Sequence, residues 1–189
     1  MDRINCMNCL TGKTEEVSSE DGKLISIIEK EIKDNDLPFI GPGLIDLQIN
    51  GINGIDFNTT ALTQEDVVNT THYLLSQGVT TFLPTVITNS DENILKLVHT
   101  IAEACKLDPL VNECVWGIHL EGPFISPKEG AKGAHDEQYI KVPDWELFSR
   151  FQEAAGGKIR LVTIAPEWEG SCSFIEKCRE NGIIVAMGH

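Results

Sequence analysis

The chain has 189 residues and a mass of 20.9 kDa, with 15 Lys and Arg against 29 Asp and Glu, a formal net charge of −14 and a pI near 4.7. That balance argues against general DNA or RNA affinity, which needs clustered Lys and Arg against phosphate, and no apolar run approaches the roughly 18 residues of a membrane span. At 41% hydrophobic and 23% charged residues the chain can bury a core, yet it is shorter than the about 250 residues of a complete (β/α)8 barrel.

The N-terminus, Met1-Asp2-Arg3-Ile4-Asn5, lacks the basic-then-apolar pattern of a signal peptide. Reduced thiols and a cytoplasmic location are therefore expected for Cys6, Cys9, Cys105, Cys114, Cys172 and Cys178. Cys6-Met7-Asn8-Cys9 is a C-x-x-C, but no second C-x-x-C or paired His supplies the other half of a zinc site, and it reads as incidental thiols. Cys105 and Cys178 fall in helical patterns and Cys114 is expected to open a strand.

Residues 1–41 read as short strands and turns. A hairpin is predicted at Glu20-Asp21-Gly22-Lys23, and the charged stretch 30–36 reads as a surface loop. From Gly41-Pro42-Gly43 the texture changes, and 42–189 is expected to form a second domain. A strand is predicted over 44–50, then a glycine-containing loop over 51–58. A helix over 63–77 follows, with Thr63 as N-cap and Asp66 three residues on. The second strand, 79–88, is predicted to be interrupted by Pro84. The next helix begins at Ser90 and repeats Ile94, Val98, Ile101 and Cys105 on one face. A third strand over 114–120, a long polar loop over 121–142 and a helix over 144–155 come next. A fourth strand over 159–165, a helix over 171–180 and a fifth strand over 183–187 complete the pattern.

Five buried strands alternating with four helices imply a parallel sheet covered by helices. Two architectures fit: a doubly wound sheet, or five-eighths of a barrel. Both place function at the C-terminal strand ends. There is no G-x-G-x-x-G and no Walker A motif, so dinucleotide and P-loop readings lose their main support.

The strand ends carry the chemistry. Gln48 and Asn50 share a face of the first strand, as amides bonded to the loop or as groups lining a site. His119 and Glu121 share a face of the third. A carboxylate at the end of a buried strand needs a salt-bridge partner, a hydrogen bond or a metal. His189 ends the fifth strand, and Glu121 with His189 makes a mixed oxygen and nitrogen pair suited to zinc or iron. Two ligands are too few for a catalytic site. The loop residue His135 follows Lys132-Gly133-Ala134, while His72 and His99 read as surface or packing residues on helices.

These residues also carry a resemblance. The segments are P-G-L-I-D-L-Q-I-N-G at 42–51, G-V-T-T-F-L-P-T at 78–85, G-I-H-L-E-G-P-F-I-S at 117–126, K-G-A-H at 132–135, V-T-I-A-P-E at 162–167 and G-H at 188–189. In this order and spacing they resemble the N-terminal half of the N-acetylglucosamine-6-phosphate deacetylase family of the amidohydrolase superfamily. The resemblance implies an α/β fold, a partial (β/α)8 TIM-like barrel with about five of eight strands, plus N-terminal strands of a small β-sandwich. It implies hydrolysis of the N-acetyl group of N-acetylglucosamine 6-phosphate to glucosamine 6-phosphate and acetate. It assigns Glu121 and His189 as metal ligands and Ala134 and His135 as substrate contacts. Gln48 and Asn50 stand where many amidohydrolases carry the H-x-H of a second metal, so one divalent metal, Zn²⁺ or Fe²⁺, is expected, and both amides are left to the substrate. The general-base aspartate, a second histidine ligand and the phosphate-binding groups are expected beyond His189. The 189 residues alone are therefore expected to be an incomplete, inactive fragment of an enzyme that is a homodimer when whole. The alternatives are a non-catalytic truncated binding protein and an amidohydrolase acting on another amide.

Overall fold

A computed structural model describes residues 1–34 and 36–189 and divides into two compact units, Met1–Gly43 and Leu44–His189. In the first, β1 (Asp2–Asn8), β2 (Thr14–Glu20) and β3 (Lys23–Glu29) pair antiparallel, and β4 (Phe39–Ile40) adds parallel to β1, giving the order β3-β2-β1-β4. Asp21 and Gly22, both at positive φ, form the turn of the predicted β2–β3 hairpin. Residue 35 of the predicted surface loop over 30–36 lies outside the described residues.

The second unit holds a five-stranded parallel sheet built from β5 (Leu44–Ile49), β8 (Val79–Ile87), β9 (Ile118–Glu121), β10 (Ile159–Ile164) and β11 (Ile184–Met187). A small hairpin, β6 (Gly51–Ile52) and β7 (Ile55–Asp56), follows β5. The helices are α1 (Gln64–Ser76), α2 (Asp91–Leu107), α3 (Pro109–Cys114), α4 (Trp145–Ala154) and α5 (Ser171–Glu180). The sheet order is β11-β10-β9-β8-β5, so each strand lies beside the next one in the chain. A doubly wound sheet reverses direction at a switch point. This one never does, which decides for the half-barrel.

The helices form where local signals call for them. Thr63 and Asp66 close a reciprocal capping box on α1. Ser90 caps α2, whose Ile94, Leu97, Val98, Ile101 and Cys105 are buried on one face. Asp144 caps α4 through the backbone N–H groups of Glu146 and Leu147. One apolar cluster joins Phe82, Val86, Ile118, Leu120, Val162 and Ile164 of the strands to Val67, Ile94, Ile101, Phe148, Phe151 and Phe174 of the helices. Each such side chain stabilises the fold by about 1.5–3 kcal/mol through burial. Cys105, Cys114 and Cys178 belong to this cluster, and burial pushes the Cys178 thiol up to about 11.

Three expectations need correction. Pro84 does not interrupt its strand, because it falls where the β5–β8 register shifts and its missing N–H costs little ladder. Cys114 does not open a strand. Asp108 caps and Pro109 starts a short fifth helix, α3, and β9 begins only at Ile118. The loop over 51–58 contains the β6–β7 hairpin, turned at Asn53 and Gly54, both at positive φ; this is the Asn-Gly turn signal. Among the described residues no helix is long and apolar enough to cross a membrane.

Candidate functional site

At the C-terminal ends of the parallel strands lies a cavity of about 380 Å³. Gln48, Asn50, Glu121, Ala134, His135 and His189 all line it, so every residue singled out in the sequence as a ligand or substrate contact meets there. Asp56, Asn58 and Ile87 complete the wall.

Glu121 ends β9, and its carboxylate is held from both sides. Gln48 Nε2 donates to Oε2 at 3.1 Å, and His189 Nε2 stands 3.1 Å from Oε1. The other ring nitrogen, His189 Nδ1, faces the carbonyl of Ala131 at 3.0 Å, while Ser126 N–H donates to the carbonyl of His189 at 2.7 Å. The loop after β9 thus grips His189 by its ring and its backbone. His135 lies against it, with ring centroids 4.7 Å apart and edge-to-face. One donor atom each from Glu121, His135 and His189 lies within 4.8 Å of the others. Desolvation holds the buried His135 below the ordinary histidine range, with the neighbouring Glu121 carboxylate opposing.

These residues fit a metal ion. Two donors about 2.0 Å from a tetrahedral ion stand about 3.3 Å apart. The Glu121–His189 approach of 3.1 Å is close to that spacing. Both ring nitrogens of His189 face acceptors, so a cationic centre at Nε2, a proton or a metal ion, satisfies the contact with Glu121. A carboxylate with imidazoles is the donor set of catalytic zinc and iron sites.

His119 does not reach this cavity. It is buried one layer below Glu121, with Nε2 2.8 Å from Thr163 Oγ1 and Nδ1 3.4 Å from Thr85 Oγ1, tying β9 to β10 and β8. Burial holds its pKa below the usual value, with the Glu121 carboxylate opposing. His72 and His99 lie exposed on α1 and α2.

Sequence reading missed Asn58. Its Nδ2 donates to the Thr85 carbonyl at 3.0 Å and its Oδ1 accepts from Ile87 N–H at 2.8 Å. The side-chain amide therefore bonds β8 as a neighbouring strand would, beyond the last β5 pairing at Pro84. It anchors the β6–β7 hairpin and brings Asp56 to the cavity wall. The Asn53-Gly54 turn was the one signal in the sequence that pointed to this hairpin.

The fold and the site together define a parallel α/β half-barrel with a carboxylate–imidazole cluster at the C-terminal ends of its strands. No protein-family model matches the chain. It is 36% identical over 180 residues to the N-acetylglucosamine-6-phosphate deacetylase of Bacillus subtilis (strain 168), an overlap that covers 94% of this chain and 44% of that protein. It is 37% identical over 153 residues to the human protein of the same name, covering 79% of this chain and 36% of the relative. A solved structure of a Mycobacterium smegmatis N-acetyl-D-glucosamine-6-phosphate deacetylase mutant, in complex with N-acetyl-D-glucosamine-6-phosphate, superposes with a TM-score of 0.81 at 25% identity, covering 100% of this chain and 50% of that one. In sequence and fold the chain corresponds to the N-terminal half of N-acetylglucosamine-6-phosphate deacetylases, and it spans less than half the length of the curated relatives it matches.

Proposed function

We propose that this chain carries the metal-binding and acetamide-binding part of an N-acetylglucosamine-6-phosphate deacetylase, which hydrolyses the N-acetyl group to leave glucosamine 6-phosphate and acetate. The observation that carries the reading is the 3.1 Å approach of Glu121 Oε1 to His189 Nε2 in the cavity that also holds His135. Glu121 and His189 are the ligands of one divalent ion, Zn²⁺ or Fe²⁺. When bound, such an ion lowers the pKa of a coordinated water and polarises a carbonyl oxygen.

The chain's own residues set the geometry. Gln48 holds Oε2 and so turns Oε1 toward His189. Ala131 and Ser126 fix the orientation of His189. Gln48 and Asn50 are carboxamides, far poorer ligands than imidazoles, which favours one metal over two. Both, with Ala134 and His135, face the space left for the sugar and its acetamido group. Residues 1–41 are proposed as a layer of a small β-sandwich, 42–189 as the barrel, and the whole enzyme as a cytoplasmic homodimer.

The test is metal loading followed by ligand titration. In a chain extended to the length of the relatives, where the second histidine ligand and the phosphate-binding groups are expected, dialysis against Zn²⁺, or anaerobically against Fe²⁺, should leave one ion per chain by elemental analysis. Glu121→Ala and His189→Ala should retain none. Calorimetric titration with N-acetylglucosamine 6-phosphate should show binding that depends on the ion. An extended wild-type chain that holds no metal, or its Glu121→Ala variant holding a full complement, overturns the reading.

A further inference from the structure

We propose that Trp168 is a positioning residue for His189: its indole N–H fixes the plane of the Ile125–Ser126 peptide, whose own N–H holds the His189 backbone. The proposal rests on the reading of His189 as a metal ligand and adds the residue that orients the backbone beside it.

Trp168 lies in the turn between β10 and α5, directly after the V-T-I-A-P-E segment, and does not line the cavity. Its Nε1–H donates to the carbonyl of Ile125 at 3.0 Å. Ser126 N–H donates to the carbonyl of His189 at 2.7 Å. The Ile125 C=O and the Ser126 N–H are the two polar ends of one trans peptide unit. Such a unit is planar and rigid, and its C=O and N–H point in opposite directions. Trp168 and His189 therefore hold opposite edges of one plate. Turning the plate to release one bond breaks the other. Ile125 and Ser126 are both fully buried, so a carbonyl or amide freed there loses its partner without gaining water. A peptide whose carbonyl accepts a bond is also polarised into a stronger donor at its N–H.

The turn that carries Trp168 is itself firmly closed. Ser171 Oγ donates to the Pro166 carbonyl at 2.7 Å, and Ser171 N–H donates to the Trp168 carbonyl at 3.2 Å. The turn then meets three successive residues of the segment after β9. Ala165 N–H donates to the Phe124 carbonyl at 2.9 Å, and the Phe124 ring packs edge-on against Phe174 of α5 at 5.1 Å. Trp168 takes the Ile125 carbonyl. The Ser126 hydroxyl beside Glu167 holds that carboxyl below the ordinary carboxylate range. Of these contacts, the one from Trp168 acts on the peptide plane that reaches His189.

The consequence is a split between ligand and fold. Losing the indole N–H should loosen His189 without opening the core behind it. Trp168→Phe keeps a ring in the turn and removes the N–H. Hydrogen exchange at the Ser126 amide of the 189-residue chain, read without metal by mass spectrometry with single-residue fragmentation, should quicken about 10-fold in Trp168→Phe. In the chain extended to the length of the relatives, Zn²⁺ affinity by competition titration should fall about 10-fold in the same variant. Trp145→Phe, which thins the packing between α4 and α5, is the structural control: it should lower the urea midpoint and leave both readings at the wild-type value. Unchanged Ser126 exchange, unchanged Zn²⁺ affinity of a metal-holding extended chain, or an equal change in both variants overturns the proposal. A wild-type Ser126 amide that exchanges at the rate of an unstructured chain also overturns it, and that measurement needs no variant to fold. An extended wild type that holds no metal removes the deacetylase reading, and the exchange at Ser126 then decides alone on the clamp by Trp168.

Discussion

The two faces of β9 are built from one four-residue strand and do opposite things. Ile118 and Leu120 point into the apolar cluster under the helices and are fully buried. His119 and Glu121 point the other way, to Thr163, Thr85, Gln48 and His189. Both faces exclude water, but only the first is satisfied by packing alone. On the second, each polar atom has to find a partner from another strand or loop, because an unpaired buried polar group costs about 1–3 kcal/mol. The outer face therefore specifies that the strand is central, and the inner face specifies which strands surround it.

Four substitutions test this division. The largest effect is expected on the outer face. Leu120→Ala should lower the unfolding free energy by about 2–5 kcal/mol in urea titrations, with the Glu121–His189 contact unchanged. A cost under about 1 kcal/mol would mean that the outer face does not carry the core. Thr163→Val comes next. It leaves His119 Nε2 without its 2.8 Å partner and should cost about 1–3 kcal/mol, although the side chain keeps its volume. A neutral result would show that the inner face tolerates unpaired groups as the outer face tolerates none. Asn58→Ala removes two hydrogen bonds to β8 and should cost about 1–2 kcal/mol. Faster hydrogen exchange at Ile87 N–H should accompany it, and unchanged exchange would break the assignment of Asn58 as a substitute strand. The smallest stability effect is expected for Gln48→Ala, within about 0.5 kcal/mol since Gln48 is exposed. Its metal affinity should nonetheless fall about 10-fold by competition titration, because Glu121 loses its orienting partner.

Elements governed by neighbours in the chain were legible. The α1 capping box spans Thr63 to Asp66, the β2–β3 turn lies between Glu20 and Lys23, and the α2 face repeats every three or four residues. Each is a signal within one turn or one hairpin. Pro84 misled because its tolerance depends on a register shift against β5, a strand more than 30 residues earlier. Helix α3 was not foreseen and its last residue, Cys114, was read as the start of the strand because Cys114 and Val115 are apolar, while the Asp108-Pro109 start that makes the helix is a two-residue cue. At the site, Glu121 and His189 stood out because a carboxylate and an imidazole at the ends of apolar strands need a reason. Asn58 did not stand out, since a lone amide in a loop is ordinary in sequence and acquires meaning only from what it touches.

The sequence by itself determined the alternation of strands and helices, the helix caps and the set of polar residues at the strand ends, because each follows from periodicity or from chemistry a few residues long. The strand and helix pattern left a half-barrel and a doubly wound sheet open, the resemblance implied the half-barrel, and the tertiary structure decided for it. That choice lies in which strand pairs with which, and no local signal encodes it. The same holds for the polar contacts that converge on the cavity. Gln48 reaches Glu121 across 73 residues and His189 reaches it across 68, and such contacts form only after the strands have been brought side by side by the apolar face behind them.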